Sequence, residues 1–118
     1  MSRRQVRMYL HDIDDAITAI FSYTKKMSYR TFESDRKTRE AVILNFIIIG
    51  EAIKKIPQDI LLEFPDVPWK EFAGMRDKLV HDYFQMSAII IWETIQEDLP
   101  VLLHAVNELD KKDSRPDR

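Results

Sequence analysis

Apolar residues recur every three or four positions from Val6 through Leu10, Ile13, Ile17, Ile20 and Phe21 to Met27, with charged residues between them. That period predicts one amphipathic helix of roughly six turns. Residues 28–34 lose the period and read as a loop, with Ser34 or Asp35 placed to cap the next helix. That second helix, over 36–56, opens on the basic cluster Arg36, Lys37 and Arg39 and then turns apolar on nearly every side from Ala41 to Ile49. A helix without a polar face is enclosed by other helices or by a partner chain. The β-branched run Ile47-Ile48-Ile49 would also suit a buried strand, but the chain offers no second strand to pair with it.

Pro57 ends that helix and can start a short one over 58–64, which Pro65 ends in turn. Asp66-Val67-Pro68 reads as a turn; a short helical segment from Trp69 then meets Gly74, and the pattern runs on to Phe84. Ser87 is placed to cap a last helix, from 88 to about 109, with Ile89, Ile90, Trp92, Ile95, Leu99, Leu102, Leu103 and Val106 as its buried stripe. Pro100 inside it predicts a kink. The expected fold is all-α: one domain over 1–110, a bundle of four to five helices, with 111–118 as a disordered charged tail. Apolar surface on the second and last helices exceeds what one small bundle can cover, which points to a homodimer.

Composition narrows the picture. The 118 residues include only two glycines and five prolines, too few for the turns of a sandwich or barrel. Eighteen basic and 20 acidic residues leave a net charge of −2, so bulk electrostatics will not draw this chain onto nucleic acid, and any RNA site must come from local clustering. Cysteine is absent, which removes disulfide and thiolate chemistry. The apolar run Phe46 to Ile49 is far short of the ~20 residues that cross a bilayer. A soluble cytoplasmic protein is expected, with no membrane partner and no cofactor.

The chemistry concentrates between Gly74 and Phe84. There Arg76-x4-His81-x-Tyr83 supplies a permanent cation, a side chain of the type that titrates near neutrality, and a phenolic hydroxyl. Those groups suffice to cut a phosphodiester without a metal. On a regular helix Arg76 and Tyr83 fall within about 20° of each other, while His81 lies about 140° from Arg76. For the two to meet at one phosphate, either the helix ends or loosens near His81, so that the following backbone swings the imidazole back, or the motifs of two subunits face each other across a twofold axis. Given convergence, His81 would act as general base or acid and Arg76 would hold two phosphate oxygens. Tyr83 would donate to the phosphate or orient the imidazole. The product would be a 2′,3′-cyclic phosphate, and DNA, lacking the 2′-hydroxyl, would be spared.

This motif and its surroundings resemble the HEPN superfamily, and within it the HepT-like branch. The likeness extends over Gly50-Glu51-Ala52, Pro68-Trp69, Tyr83-Phe84, Ile91-Trp92 and Asp98-Leu99-Pro100. The resemblance implies the toxin of a toxin–antitoxin pair: a dimeric, metal-independent endoribonuclease acting on tRNA or mRNA through Arg76, His81 and Tyr83, with the composite two-subunit pocket. It further implies a minimal nucleotidyltransferase antitoxin that transfers AMP to Tyr83, alone with the dimer or in a larger complex. A bulky anion on that tyrosine would sit where substrate phosphate must go.

Other residues carry weaker signals. Glu51 is placed either to reach Arg76 or Lys78 or to serve as a surface carboxylate. Lys78 is one helical turn from Asp82 and reads as half of a local ion pair. Arg76 has Glu71, Asp77 and Asp82 as alternative partners. His11 lies near Asp12, Asp14 and Asp15, a set better suited to a solvated face than to a metal. The clusters Arg3-Arg4-Arg7, Lys25-Lys26-Arg30 and Arg36-Lys37-Arg39 offer phosphate contacts, although each is more often a solvated face. Two rival functions remain open: a helical module without chemistry that binds a nucleotidyltransferase, and a regulatory domain that holds nucleotide phosphates without cleaving them.

Overall fold

The computed structural model describes residues 1–82 and 85–113. Its elements are α1 (Arg3–Thr24), α2 (Tyr29–Ser34), α3 (Arg36–Lys55), α4 (Gln58–Leu61), α5 (Trp69–Asp82), α6 (Ala88–Glu93), a π-helical segment (Thr94–Asp98) and α7 (Leu99–Asp113). All regular structure among the described residues is helical, as the pattern predicts. No helix among them is long and apolar enough to cross a membrane.

The helix starts are written in short-range hydrogen bonds. Ser2 accepts from the Gln5 backbone at 3.2 Å while the Gln5 side chain accepts from the Ser2 backbone at 3.0 Å, a reciprocal cap that opens α1. Ser28 and Thr31 repeat the device at 3.2 and 2.9 Å and open α2. The loop expected over 28–34 is therefore mostly a helix. Its six residues are too few to display a period, and its cap uses threonine where the familiar signal is Glu or Gln. Of the two residues expected to cap α3, Asp35 does so, accepting from the Thr38 backbone at 3.0 Å and its hydroxyl at 2.9 Å. Those bonds, the backbone one foremost, hold the Asp35 carboxyl below its ordinary range.

Helix α3 is the centre of the molecule, packed against α1 on one side and α5 on the other, while α7 covers α1. The core runs through all of them: Leu10, Ile13 and Ile17 from α1, Val42, Phe46 and Ile49 from α3, Phe72 and Leu79 from α5, and Leu99 and Leu102 from α7 are essentially inaccessible. Trp92 of α6 pins α2, with ring centroids 5.3 Å from Phe32 and 6.3 Å from Tyr29. Trp69 is buried and donates its indole N–H to the Phe64 carbonyl at 3.0 Å.

Two expectations change form. Helix α5 continues through Gly74 without a break and reaches Asp82. Ahead of Pro100 the last helix widens over Thr94–Asp98, where the Leu99 N–H reaches back five residues to the Thr94 carbonyl. The wider turn relieves the clash between a proline ring and the carbonyl four residues back. At the carboxyl end α7 runs to Asp113, three residues beyond the expected domain edge, and 114–118 lie outside the described residues.

Candidate active site

The site begins with a missing side chain. A Cβ built on Gly50 of α3 would stand 2.2 Å from the Arg76 Cβ and 3.0 Å from the Phe72 carbonyl oxygen of α5. Glycine alone lets the two helices approach this closely, and Arg76 crosses α3 at that point. The next residue, Glu51, is then in reach: its Oε2 lies 2.9 Å from Arg76 Nη2. Arg76 Nη1 donates to Asp77 Oδ1 at 2.9 Å, and Lys54, one turn after Glu51, donates to the same oxygen at 2.7 Å. The result is a chain of alternating charge, Glu51–Arg76–Asp77–Lys54, laid across the α3–α5 seam.

Both carboxylates act on the guanidinium. The hydrogen bond from Lys54, then that from Arg76, holds the Asp77 carboxyl below its ordinary range, and Asp77 foremost raises Arg76 above its own. Arg76 is only 25% exposed, and its Nε is shut off from solvent with no hydrogen-bond partner. A guanidinium has five N–H groups, so two carboxylates leave donors for a phosphate.

His81 is exposed on α5 and lines a cavity of about 510 Å³ with Asp77, Lys78, Asp82, Gln85, Ser87 and Ile90 among the described residues. Helix α5 stays regular through His81 and ends at Asp82. Arg76 packs toward Glu51 on α3, whereas His81 faces the cavity toward α6; within one chain they occupy different surroundings. Asp77 joins them, bonded to Arg76 and lining the His81 cavity. Tyr83 lies outside the described residues.

Of the supporting residues, Glu51 takes the first of its two expected roles and pairs with Arg76. Lys78 and Asp82 both line the His81 cavity, but no ion pair joins them among the described residues. Although they stand one turn apart, both are exposed, where such a pair gains little over water. Lys54 was not foreseen, because two lysines ending a helix read as ordinary partners of its dipole. His11 reaches across to α7 and stands 3.2 Å from Asp110 Oδ1, not among its own aspartates. No group of three or more metal-ligating side chains clusters among the described residues.

Comparison with known proteins finds relatives along most of the chain. The family model described as Ribonuclease HepT-like matches residues 13–109. A "Probable ribonuclease HepT" of Thermococcus cleftensis is 42% identical over 109 residues, spanning 92% of this chain and 99% of that protein. A Methanocaldococcus jannaschii protein named "Putative RNase MJ1216" is 41% identical over 85% of this chain and 83% of its own. "Putative RNase TTE0752" of Caldanaerobacter subterraneus is 39% identical over 91% and 96%. No solved structure matches the chain.

The geometry sets two stability outcomes. Gly50→Ala will cost about 1–3 kcal/mol in urea unfolding through overpacking against Arg76, despite alanine's better helix propensity. Gly74→Ala, where an added Cβ meets nothing within 4 Å, will instead stabilise the protein by up to ~1 kcal/mol. Asp77 has a folded pKa below its unfolded one, so its contribution is complete above about pH 4 and is lost as the pH falls through the folded value. Urea midpoints measured from pH 5 down to 2 will fall less steeply for Asp77→Asn than for wild type. From its motif to its relatives, this chain belongs to the HepT-like ribonuclease family of the HEPN superfamily.

Proposed function

We propose that this chain is a metal-independent endoribonuclease toxin whose reaction centre is composed from two copies. The observation that carries the reading is the anchored Arg76, held by two carboxylates at 2.9 Å, with an exposed His81 little more than a turn further along the same helix and facing a different way. A twofold axis along this face of α5 brings the His81 of one copy toward the Arg76 of the other. Exposed apolar residues on α3 and α5 support that axis: Leu44, Ile48 and Val80 are 58%, 38% and 47% accessible, and Val80 follows Arg76 by one turn.

In such a centre one His81 takes the proton of the ribose 2′-hydroxyl. The freed oxygen attacks phosphorus, and the bond to the 5′-oxygen breaks. The second His81 protonates that leaving oxygen, and Arg76 holds the phosphate oxygens as charge grows on them. The products are a 2′,3′-cyclic phosphate and a free 5′-hydroxyl. Around the centre, Arg36 and Arg39 line a cavity of about 340 Å³ that shares Met86 with the His81 cavity, which supports a path for the RNA backbone of a tRNA or mRNA.

The same reading includes a nucleotidyltransferase antitoxin that adds AMP to Tyr83, and action in the cytoplasm. The rival, a helical module without chemistry, draws on the engagement of both Arg76 terminal nitrogens by carboxylates.

Incubation with tRNA and mRNA in EDTA separates the two. Wild type will leave 2′,3′-cyclic phosphate ends, and His81→Ala will slow cleavage by about 10²–10⁴-fold, the usual share of a proton-transfer group. Cleavage abolished by chelator, or 5′-phosphate ends, would refute the mechanism. Mass spectrometry of protein co-expressed with its antitoxin will find one AMP on the Tyr83 peptide; an unmodified peptide in a growth-arrest-free culture would point to inhibition by binding alone.

A further inference from the structure

The His81 cavity does not end at His81. It shares Lys78, Met86 and Ile90 with a second cavity of about 310 Å³, so that one groove runs between α5 and the α6–π helix toward the start of α5. We propose that this groove is a base-recognition subsite that takes a guanine in the nucleotide adjoining the cleaved phosphate. The proposal rests on the ribonuclease reading above and adds to it a sequence preference.

The groove is ordered as a nucleotide is ordered. Lys78 is exposed at the junction of the two cavities and has no ion-pair partner among the described residues, which suits a phosphate. Beyond it Met75, Met86 and Ile90 make an apolar lining on which a base can lie; thioethers adapt to flat, polarisable surfaces. Glu71 and Asp98 line the far end, the residues of α5 and the π segment most distant in sequence from the 83–87 connection. Lys78 and Glu71 are two helical turns apart, roughly 10 Å along the axis, about the reach of a nucleotide from its phosphate to the far edge of a purine. Carboxylates only accept hydrogen bonds, and guanine alone among the RNA bases presents two adjacent donor groups, N1–H and N2–H, to one carboxylate. Adenine and cytosine offer a single amino group there, and single-stranded RNA is read on this edge when its bases are unstacked.

Short RNAs that differ only in the base beside one cleavable linkage test this. Wild type will cut the guanine RNA about tenfold faster than the adenine RNA, the discrimination expected of one bidentate contact. In the double variant Glu71→Gln, Asp98→Asn that ratio will fall to about one, and Lys78→Ala will raise KM for both RNAs with little change in kcat. Thermal melting reports the folding of each variant independently. A wild type without base preference, or a double variant that keeps it, overturns the subsite while leaving the nuclease intact. Binding of non-cleavable 2′-O-methyl RNAs, read by fluorescence anisotropy, decides the case in which no RNA is cut. Guanine-selective binding lost in the double variant then upholds the groove and rejects the nuclease, and equal affinities for both RNAs reject the groove as well.

Discussion

The contact between Gly50 and Arg76 governs the rest of the site. Two helices can bring a partly buried guanidinium to a carboxylate only if their backbones come close, and here the closeness is set by the absence of one methyl group. Once α5 lies against Gly50, Glu51 is at the right height on α3 and Lys54 follows one turn later. Burying a cation is costly unless it is paired and hydrogen-bonded. The chain meets that cost with two carboxylates and restrains the second of these with a lysine of its own. The four charges cancel, so the guanidinium is positioned without leaving a strong local field when no anion is present.

That neutrality fits the surroundings of His81. An arginine held at both terminal nitrogens by Glu51 and Asp77 keeps its orientation, so ordering costs are met before any ligand arrives. Asp77 is the joint of the arrangement: its depressed pKa keeps it anionic, and it belongs both to the Arg76 cluster and to the wall of the His81 cavity. A change at Lys54, which touches neither a cavity wall at His81 nor Arg76 directly, would reach both through that single oxygen.

Helix α1 was legible because its apolar residues keep a 3.6-residue period over some twenty positions, which no short-range accident imitates. Helix α2 was not, since its stability comes from Phe32 and its contact with Trp92, sixty residues away, more than from any local pattern. The π segment was signalled only as trouble at Pro100; the form a helix takes ahead of a proline depends on what packs around it, and Leu99 and Ile95 are both buried there. Within the site, Arg76 and His81 stood out by residue type, yet the partner of Arg76 could not be chosen from sequence, because Glu51, Glu71, Asp77 and Asp82 all remained open until α3 and α5 were laid together. The apolar run of α3 predicted enclosure on every side. One chain delivers it for Ile49 but leaves Ile48 and Leu44 accessible, so the surplus in the pattern is real surface.

Net charge misleads for a chain like this one. At −2 it should avoid RNA, but charges separated by more than about 8 Å are largely screened at physiological salt, so a polyanion responds to the few groups nearest to it. Around Met86 the basic groups are Arg36, Arg39 and Lys78, but Glu40 shares the cavity of the two arginines and pairs with Arg36 at 2.8 Å, and Asp77 and Asp82 line one of the two cavities that Lys78 enters. With acids and bases interleaved in this way, the net charge describes no particular patch of the surface, and what a phosphate would meet depends on which individual side chain it approaches.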